Sequence, residues 1–203
     1  MHKETMAPET HALFSNLASA PWLPGFYLAG GTALALRLGH RTSVDLDFFA
    51  EKPFDEALLV ENLAAAGKAE ILQRSPQSVI GILDGVKFSF LGYPYPMLKP
   101  LGNLDGISIA SIEDIACMKL DALASRGTKR DFIDVYFVAT EIPLADLMAL
   151  FKQKYASVGY NPVHLKKSLV FFEDAEGEPM PAMRAPVLWT DVKRFFVEQA
   201  TSL

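Results

Sequence analysis

The chain changes its pattern of hydrophobic and polar positions about halfway along its length. In the first hundred or so residues, short apolar runs alternate with turn residues, which is typical of strands mixed with a few helices. From about residue 108, apolar positions recur at helical spacing. We therefore predict an α+β fold, with a small mixed-sheet α/β core over residues 1–105 and a helical domain over residues 106–203.

The first part predicts a small sheet with helices packed on it. Its expected elements are a helix over 11–18, strands over 26–29 and 44–49, a helix from about 55 to 66, and strands over 69–74, 78–83 and 86–93, with prolines at 94, 96 and 100 ending the sheet. Asp84-Gly85 is a two-residue hairpin signal between the last two strands. In the second helix, Leu58, Leu59 and Leu63 share one predicted face, and Gly67 ends the helix.

The second part predicts four helices, a connector and a last helix. The helices are expected over about 112–125, 129–140, 144–155 and 162–172, the acidic, proline-containing connector over 173–186, and the last helix around Val192 to Gln199. Ser111 to Asp114 is a capping signature that precedes the first of these helices.

Composition narrows the class of protein without naming a function. The net charge of −5 gives no overall attraction to nucleic acid, so any such contact needs a local patch. The single cysteine, Cys117, excludes an internal disulfide and predicts a core residue of a protein in a reducing compartment. No signal-peptide pattern opens the chain, and no apolar run reaches the ~18 residues that span a bilayer. We expect a soluble, cytoplasmic protein with no membrane contact.

Two adjacent glycines, Gly30 and Gly31, lie between the predicted strand over 26–29 and an apolar helical segment over 33–38. Glycines allow a tight turn and the close approach of a ligand. Thr32 is expected to cap the helix. Free N–H groups and the helix dipole attract phosphate at such a position. The glycines alone would indicate only a turn.

Two carboxylates, Asp45 and Asp47, alternate with apolar residues in the segment 44–49. In a strand, residues two apart share a face, so these side chains are expected to project side by side. Alone, such a pair often marks a solvated edge strand. A divalent cation would relieve their repulsion, since Mg²⁺ binds through one or two carboxylates and completes its shell with water and substrate phosphates. The order of glycines and acids within eighteen residues favours metal-dependent phosphoryl or nucleotidyl transfer.

A lysine, Lys119, lies in line with the apolar face of the predicted helix over 112–125. A buried unpaired lysine is costly, so two explanations remain open. The stem could be buried with the ammonium reaching water, or the ammonium could face a cleft and bind a triphosphate or the acids.

A basic cluster follows that helix and ends in two acids. Arg126 and Arg130 come before the two acids, Asp131 and Asp134. The acids are three residues apart, so both carboxylates are expected on one face of a helix. The acids could simply stabilise the N-terminus of a helix. Between residues 119 and 172 there are eight Lys or Arg against five Asp or Glu, which is the only candidate for a nucleic-acid surface and a weak one.

Taken together, these motifs resemble the AbiEii/AbiGii-type nucleotidyltransferase toxin family. The likeness is carried by residues 30–35, 43–49, 111–115 with Lys119, and Arg126 with residues 130–134, in the family's order. It covers roughly residues 25–140 and continues more loosely around 171–174 and Trp189. The resemblance implies a polymerase-β-like nucleotidyltransferase core with a helical C-terminal domain. Its members use Mg²⁺ (or Mn²⁺) and a nucleoside triphosphate to transfer a nucleotide to an acceptor, in some cases tRNA. The resemblance also implies a cognate antitoxin as a partner.

The resemblance also implies a role for each matching residue. Gly30, Gly31 and Thr32, or Ser43 in the following loop, would hold the triphosphate. By the same resemblance, Asp45 and Asp47 would bind the metal, and Lys119 would offset the charge of the phosphates. Asp131 would be a further acid and a candidate base for the acceptor hydroxyl. The chemistry is in-line displacement at the α-phosphate.

One position departs from the pattern that this fold implies. Enzymes with this fold commonly carry a third carboxylate on the strand after the acid pair, and we align Ser89 with it. A serine is not a carboxylate ligand. Asp131 or Asp84 could substitute, the site could use fewer ligands, or activity could be reduced.

Three functions therefore compete at this point. The first is Mg²⁺-dependent nucleotide transfer to a macromolecular acceptor, RNA and tRNA in particular, as the toxin of a toxin–antitoxin system. The second is nucleotidylation of a protein side chain. The third is a degenerate nucleotide-binding or interaction protein, which Ser89 makes conceivable.

Overall fold

The structure is a computed structural model that describes residues 1–201. Its contacts divide the chain into two units, Met1–Ser111 and Ile112–Leu203. The expected division between residues 105 and 106 falls inside a short β-hairpin of the first unit.

The first unit contains a seven-stranded mixed sheet. Its strands are β1 (Tyr27–Ala29), β2 (Leu46–Ala50), β3 (Ala69–Ser75), β4 (Ser78–Leu83), β5 (Val86–Gly92), β6 (Gly102–Leu104) and β7 (Ile107–Ile109), and its helices are α1 (Pro8–Leu17), α2 (Gly30–Leu38) and α3 (Glu56–Ala66). The strand order is β3-β4-β5-β2-β1-β7-β6. β2 pairs parallel with β5 and β1 pairs parallel with β7, whereas the remaining pairs are antiparallel.

Local sequence signals account for much of this unit. Asp55 caps α3 by accepting hydrogen bonds from the second and third N–H groups of the helix. Asp84 and Gly85 both adopt positive φ in the β4–β5 turn, as a type I′ hairpin requires. The prediction for Leu58 is wrong: its side chain is 55% exposed, whereas Leu63 is fully buried. The helix turns a narrower apolar face toward the sheet than the three leucines suggested.

Two predicted features of the sheet are corrected by the structure. The prolines at 94, 96 and 100 do not end the sheet, because β6 and β7 follow and β7 pairs with β1. These strands have three residues each, which is too short for an alternating pattern to be recognised. The predicted strand over 44–49 is observed one to two residues later, as β2.

The regular elements of the second unit, within its described residues, are helices. Its helices are α4 (Ile112–Ser125), α5 (Lys129–Ala139), α6 (Leu144–Lys154), α7 (Pro162–Ser168), α8 (Glu173–Glu176) and α9 (Trp189–Ala200). α7 ends four residues before the predicted end at 172, and the short α8 lies in the predicted connector. The connector is anchored: Glu178 accepts a hydrogen bond from Lys129 N–H at 2.8 Å, and the Lys129 ammonium donates to the carbonyls of Glu176 and Glu178.

The core of the second unit includes a buried ion pair. Lys154 Nζ lies 2.7 Å from Asp114 Oδ1, and both side chains are inaccessible to solvent. Cys117 is buried on the same helix as Asp114, as predicted, and burial raises the pKa of its thiol to about 12. Among the described residues, no helix combines the length and apolar character needed to cross a bilayer.

Candidate functional site

The glycine turn, Gly30 and Gly31, begins α2 directly after β1. Gly30 has φ +66°, a conformation that favours glycine, and a Cβ atom built on it would lie 2.7 Å from Asp47 Oδ2. Ala29 occupies the N-cap position and offers no side-chain cap. The turn thus combines a close backbone approach to a carboxylate with a helix N-terminus whose N–H groups face no capping side chain.

An arginine that the sequence patterns did not single out lies against the same turn. A Cβ atom built on Gly31 would lie 2.5 Å from Arg41 Nη2 and 3.5 Å from Ser43 Oγ. Arg41 is buried, with 4% of its surface exposed, and its Nη1 donates to the carbonyl of Thr42 at 3.2 Å. A cation next to a predicted phosphate-binding turn suits an anionic ligand. The sequence feature that could have indicated Arg41 is its place in the polar loop between the two glycines and the two acids.

Thr32 does not cap α2, so that prediction is wrong. The helix begins two residues earlier, at Gly30, which places Thr32 inside the first turn. Its hydroxyl forms hydrogen bonds to Ser43 Oγ, at 2.8 Å, and to the carbonyl oxygen of Asp45. Thr32 therefore connects α2 to the residues just before β2. The two hydroxyls predicted to bind the nucleotide, those of Thr32 and Ser43, are hydrogen-bonded to each other there.

The acid pair, Asp45 and Asp47, lies at the start of β2. Leu46 and Phe48 are fully buried, whereas both aspartates are partly exposed. This burial pattern agrees with the prediction that the two carboxylates share a face, which stays a prediction because Asp45 lies outside β2. Asp45 immediately precedes β2, and Asp47 pairs with Ala29 of β1.

Ser89 occupies the position opposite Asp47 in the parallel β2–β5 pair. Its hydroxyl donates a hydrogen bond to Asp47 Oδ1 at 2.6 Å. Asp84, one proposed substitute for a third acid, lies in the β4–β5 turn, where its Oδ1 accepts a hydrogen bond from Lys68 N–H. A serine rather than a carboxylate therefore faces the acid pair from the neighbouring strand.

The donor set at this site fits Mg²⁺ binding by two carboxylates. No group of three or more His, Cys, Asp or Glu residues suited to a metal occurs within residues 1–201. Two partly exposed carboxylates nevertheless meet the usual protein share of a Mg²⁺ shell, because phosphates and water supply the remaining oxygens. Asp47 Oδ2 also faces Gly30, where only the absence of a side chain leaves room beside the carboxylate.

The N-terminal segment holds the site loop, which we define as residues 39–44. Ser43 N–H donates to the carbonyl of Thr5 at 2.9 Å, and the Thr10 hydroxyl donates to the carbonyl of Val44 at 2.8 Å. The His2 ring lies against Gly39, where an added Cβ atom would approach it to 3.0 Å. Thr5 and Thr10 are buried. Residues far upstream of the motifs thus fix the backbone that carries Arg41 and Ser43. The sequence patterns did not indicate this contact between the N-terminal segment and the site loop.

The second predicted constellation forms an ion cluster in the other unit, made of Lys119, Arg126, Asp131 and Asp134. Lys119 Nζ lies 2.9 Å from Asp131 Oδ1 and 2.7 Å from Asp134 Oδ2. Arg126 Nε lies 2.9 Å from Asp131 Oδ2. The two aspartates share one helical face, as their spacing predicted, and Lys119 is buried with its charge compensated by carboxylates.

Asp131 has a lowered pKa in this cluster. Burial alone would raise its pKa, but the charges of Lys119 and Arg126 and hydrogen bonds from Arg126 and Thr128 lower the pKa to about 2. Thr128 Oγ1 donates to Asp131 Oδ2 at 2.6 Å and caps α5. An effective general base has a pKa near the working pH, so Asp131 is poorly matched to the role of base for the acceptor.

The local positive charge is smaller at the surface than in the sequence. Three of the eight cations counted between residues 119 and 172 are buried against oxygen atoms: Lys119, Lys129 and Lys154. Arg130 is exposed, as are Lys166 and Lys167 in α7. The count of charges therefore overstates the nucleic-acid surface, and only the exposed groups bear on it.

Comparison with protein families gives matches over almost the whole chain. The family model described as "Nucleotidyl transferase AbiEii toxin, Type IV TA system" matches residues 11–104 and 93–202. An uncharacterized protein of Aquifex aeolicus (strain VF5) is 44% identical over 177 residues, which cover 84% of each chain.

Solved structures with the same fold are more distant in sequence. JHP933 of Helicobacter pylori is 20% identical with a TM-score of 0.56, covering 99% of this chain and 89% of its own. MenT4, a nucleotidyltransferase toxin of Mycobacterium tuberculosis H37Rv, is 17% identical with a TM-score of 0.58, covering 100% of this chain and 88% of its own. At such identities these structures support the fold.

Proposed function

The chain belongs to the AbiEii family of nucleotidyl transferase toxins, and we propose that it transfers a nucleotide from a nucleoside triphosphate to an RNA acceptor, in particular a tRNA. Membership of this family makes the chain a nucleotidyltransferase. We further propose that it acts in the cytoplasm as the toxin of a toxin–antitoxin pair and is restrained by a cognate antitoxin. The structurally similar MenT4 is a nucleotidyltransferase toxin, which agrees with this proposal.

The observation that carries the proposal is the approach of Asp47 to the glycine turn. Only a residue without a Cβ atom fits at Gly30, which has φ +66° and lies beside Asp47 Oδ2, and the end of the Arg41 side chain lies against Gly31. Backbone N–H groups, the Asp47 carboxylate and the Arg41 guanidinium converge around one turn, and Asp45 lies two residues before Asp47. That combination suits a triphosphate accompanied by a divalent cation.

In this proposal each part of the site has a separate task. The N-terminus of α2 and the guanidinium of Arg41 bind the phosphates, with Ser43 and Thr32 fixing the site loop around them. Asp45 and Asp47 hold Mg²⁺ or Mn²⁺, and Ser89 orients Asp47 through its hydrogen bond. A bound divalent cation supplies charge neutralisation at the α-phosphate.

The reaction proposed for this site is an in-line displacement. The acceptor hydroxyl oxygen forms a bond to the α-phosphorus, the bond between the α- and β-phosphates breaks, pyrophosphate leaves, and the hydroxyl proton passes to water. The chain's own groups orient the triphosphate and hold its charge in place. That Lys119 offsets phosphate charge stays a prediction, since two carboxylates already compensate its ammonium. For Asp131 we retain only the role of fixing Lys119 and Arg126.

The test is transfer of label from each of the four α-³²P-labelled nucleoside triphosphates to tRNA and to protein, assayed separately with Mg²⁺. Asp47→Asn removes one carboxylate of the acid pair. Asp105→Asn is the matched control, because Asp105 is a partly exposed turn residue with φ +52°, which asparagine tolerates.

We expect label in tRNA with the unaltered chain and with Asp105→Asn. Asp47→Asn and EDTA should each reduce it by more than the roughly 10- to 100-fold lost with an outer partner of a metal ligand, because each removes part of the metal site itself. Label in protein but not in RNA would replace RNA with a protein acceptor. Full transfer or full growth inhibition by Asp47→Asn would overturn metal-dependent catalysis and favour an interaction protein.

A further inference from the structure

A groove in the helical unit lies between the end of α4 and α7. It encloses about 360 Å³ and is bordered by residues 123–127, by His164 and Lys167 of α7, and by Phe171 and Asp174 after it. We call it the α4–α7 groove. Its volume is in the range that accommodates a small ligand.

The groove is a built feature held by hydrogen bonds. The His164 ring Nε2 lies 2.8 Å from the carbonyl oxygen of Ala124 at the end of α4, and the Ser168 hydroxyl donates to the carbonyl of His164 at 3.0 Å. Asn161 caps α7 by accepting from the N–H groups of Val163 and His164. These contacts fix the wall that carries Lys167.

The groups that face the groove combine cations with an exposed aromatic ring. Arg126 donates from both Nε and Nη2 to the Asp131 carboxylate, and its side chain is 63% exposed, so the guanidinium is held at the groove edge with part of its surface open to a ligand. Lys167 is exposed and forms no ion pair with any residue in 1–201. Phe171 is 52% exposed, so part of its ring is accessible to a ligand in the groove. Asp174 contributes one opposing carboxylate.

An aromatic platform between cations is the arrangement that binds single-stranded nucleic acid. Bases stack on the ring while Lys and Arg contact the flanking phosphates. We propose that the α4–α7 groove binds one nucleotide of a single-stranded RNA segment, with its base on Phe171 and its phosphates against Arg126 and Lys167. This inference rests on the proposed function, because it supplies an anchoring site for the RNA acceptor.

The test measures RNA binding without catalysis. The full-length chain carrying Asp47→Asn is titrated, in EDTA, into a fluorescein-labelled 12-nucleotide single-stranded RNA, and fluorescence anisotropy gives the Kd. Phe171→Ala and Lys167→Gln are introduced into this background. Leu188→Ala and Lys152→Gln are the matched controls, since Leu188 and Lys152 are exposed and do not line the groove.

We expect Phe171→Ala to raise the Kd about 5- to 160-fold, the range for loss of one stacked base. Lys167→Gln should raise it severalfold and lower the slope of log Kd against log salt by about one. The controls should stay within twofold. Binding that is unchanged in both groove variants would overturn the proposal, as would binding of AMP, but not of the RNA, at the groove.

The outcome separates this inference from the proposed function. If tRNA is labelled by the unaltered chain but the groove variants bind RNA normally, only the groove assignment fails. If RNA binds through the groove but no label is transferred to it, only the proposed reaction fails. Circular dichroism of each variant checks that the helical unit is intact, which the exposure of both altered side chains favours.

Discussion

Ser89 donates a hydrogen bond to Asp47 Oδ1 at 2.6 Å across the parallel β2–β5 pair. The serine is nearly buried, with 6% of its surface exposed. Where this fold commonly carries a third acid, the chain therefore has a donor that contacts one member of the acid pair. A hydroxyl in this position orients a carboxylate and does not add negative charge to the site.

The first prediction concerns removal of that hydroxyl. Ser89→Ala should lower the apparent affinity for Mg²⁺ about 10-fold, within the 10- to 100-fold range for outer partners of metal ligands. Transfer at saturating Mg²⁺ should fall less, because Asp45 and Asp47 both remain. The measurement is a Mg²⁺ titration of label transfer.

Ser89→Thr is the control, since it retains the hydroxyl at the same position. Its Mg²⁺ dependence should lie closer to that of the unaltered chain than that of Ser89→Ala does. If Ser89→Ala and the unaltered chain have the same Mg²⁺ dependence, the hydrogen bond to Asp47 has no part in positioning the ligand.

The second prediction compares two glycines with positive φ. Gly85→Ala should reduce the free energy of unfolding by about 1–2 kcal/mol, the cost of a left-handed non-glycine residue, and Gly30→Ala should reduce it by more because it also crowds Asp47. Only Gly30→Ala adds a Cβ atom 2.7 Å from Asp47 Oδ2, whereas nothing lies within 4 Å of the corresponding atom at Gly85. Label transfer should be lost in Gly30→Ala and kept in Gly85→Ala. Equal activity of the two variants would contradict the close approach at the turn.

The third prediction concerns the stability contributed by Asp131 and its pH dependence. The pKa of this acid falls from an ordinary value of 3.8 to about 2 in the folded protein, so its contribution is present above pH 3.8 and is lost as the pH falls toward 2. A difference of nearly two pKa units corresponds to about 2 kcal/mol. The difference in free energy of unfolding between the unaltered chain and Asp131→Asn should shrink by that amount between pH 5 and pH 2.

Urea unfolding at each pH gives this difference. Asp146→Asn serves as the control, because Asp146 is exposed in the first turn of α6 and its replacement should change stability by less than about 1 kcal/mol at any pH. A constant difference for Asp131→Asn across pH 5 to 2 would mean that Lys119 and Arg126 do not hold the carboxylate ionised.

The parts of the fold that local patterns encode were predictable. The Asp84-Gly85 turn needs only its own backbone, and the helix caps Asp55 and Thr128, which we did not predict, also act within three residues. The partial exposure of Asp45 and Asp47 on either side of buried Leu46 likewise depends on neighbouring residues. These features could be recognised because each is decided over a few residues.

The parts that distant segments decide could not be predicted. Thr32 bonds across eleven residues to Ser43, and this contact, not a cap, determines its place. Arg41 lies at the site because it packs against Gly31. The pairing of β7 with β1 joins residues about eighty positions apart. A single sequence shows that such residues are polar or apolar, but it does not show which partner satisfies them.

The last prediction tests the hold that the N-terminal segment has on the site loop. Thr10, in α1, is buried, and its hydroxyl donates to the carbonyl of Val44, the residue next to Asp45. Thr10→Val keeps the shape but leaves that carbonyl without this donor, which should cost about 1–3 kcal/mol of unfolding free energy. Because the loop carries Ser43, the KM for the nucleoside triphosphate should rise severalfold more than kcat falls.

Ser15→Ala is the matched control for this change. Ser15 lies in the same helix, and its hydroxyl bonds only to the carbonyl of His11, so its loss should leave both the loop and the KM unchanged. If Thr10→Val lowers stability without altering the KM, the segment supports the fold alone. If Thr10→Val raises the KM and Ser15→Ala leaves it unchanged, triphosphate binding depends on a hydrogen bond that α1 donates from outside every motif of the site. The reason would be that the site loop keeps its shape only while the Thr10 hydroxyl bonds to the Val44 carbonyl.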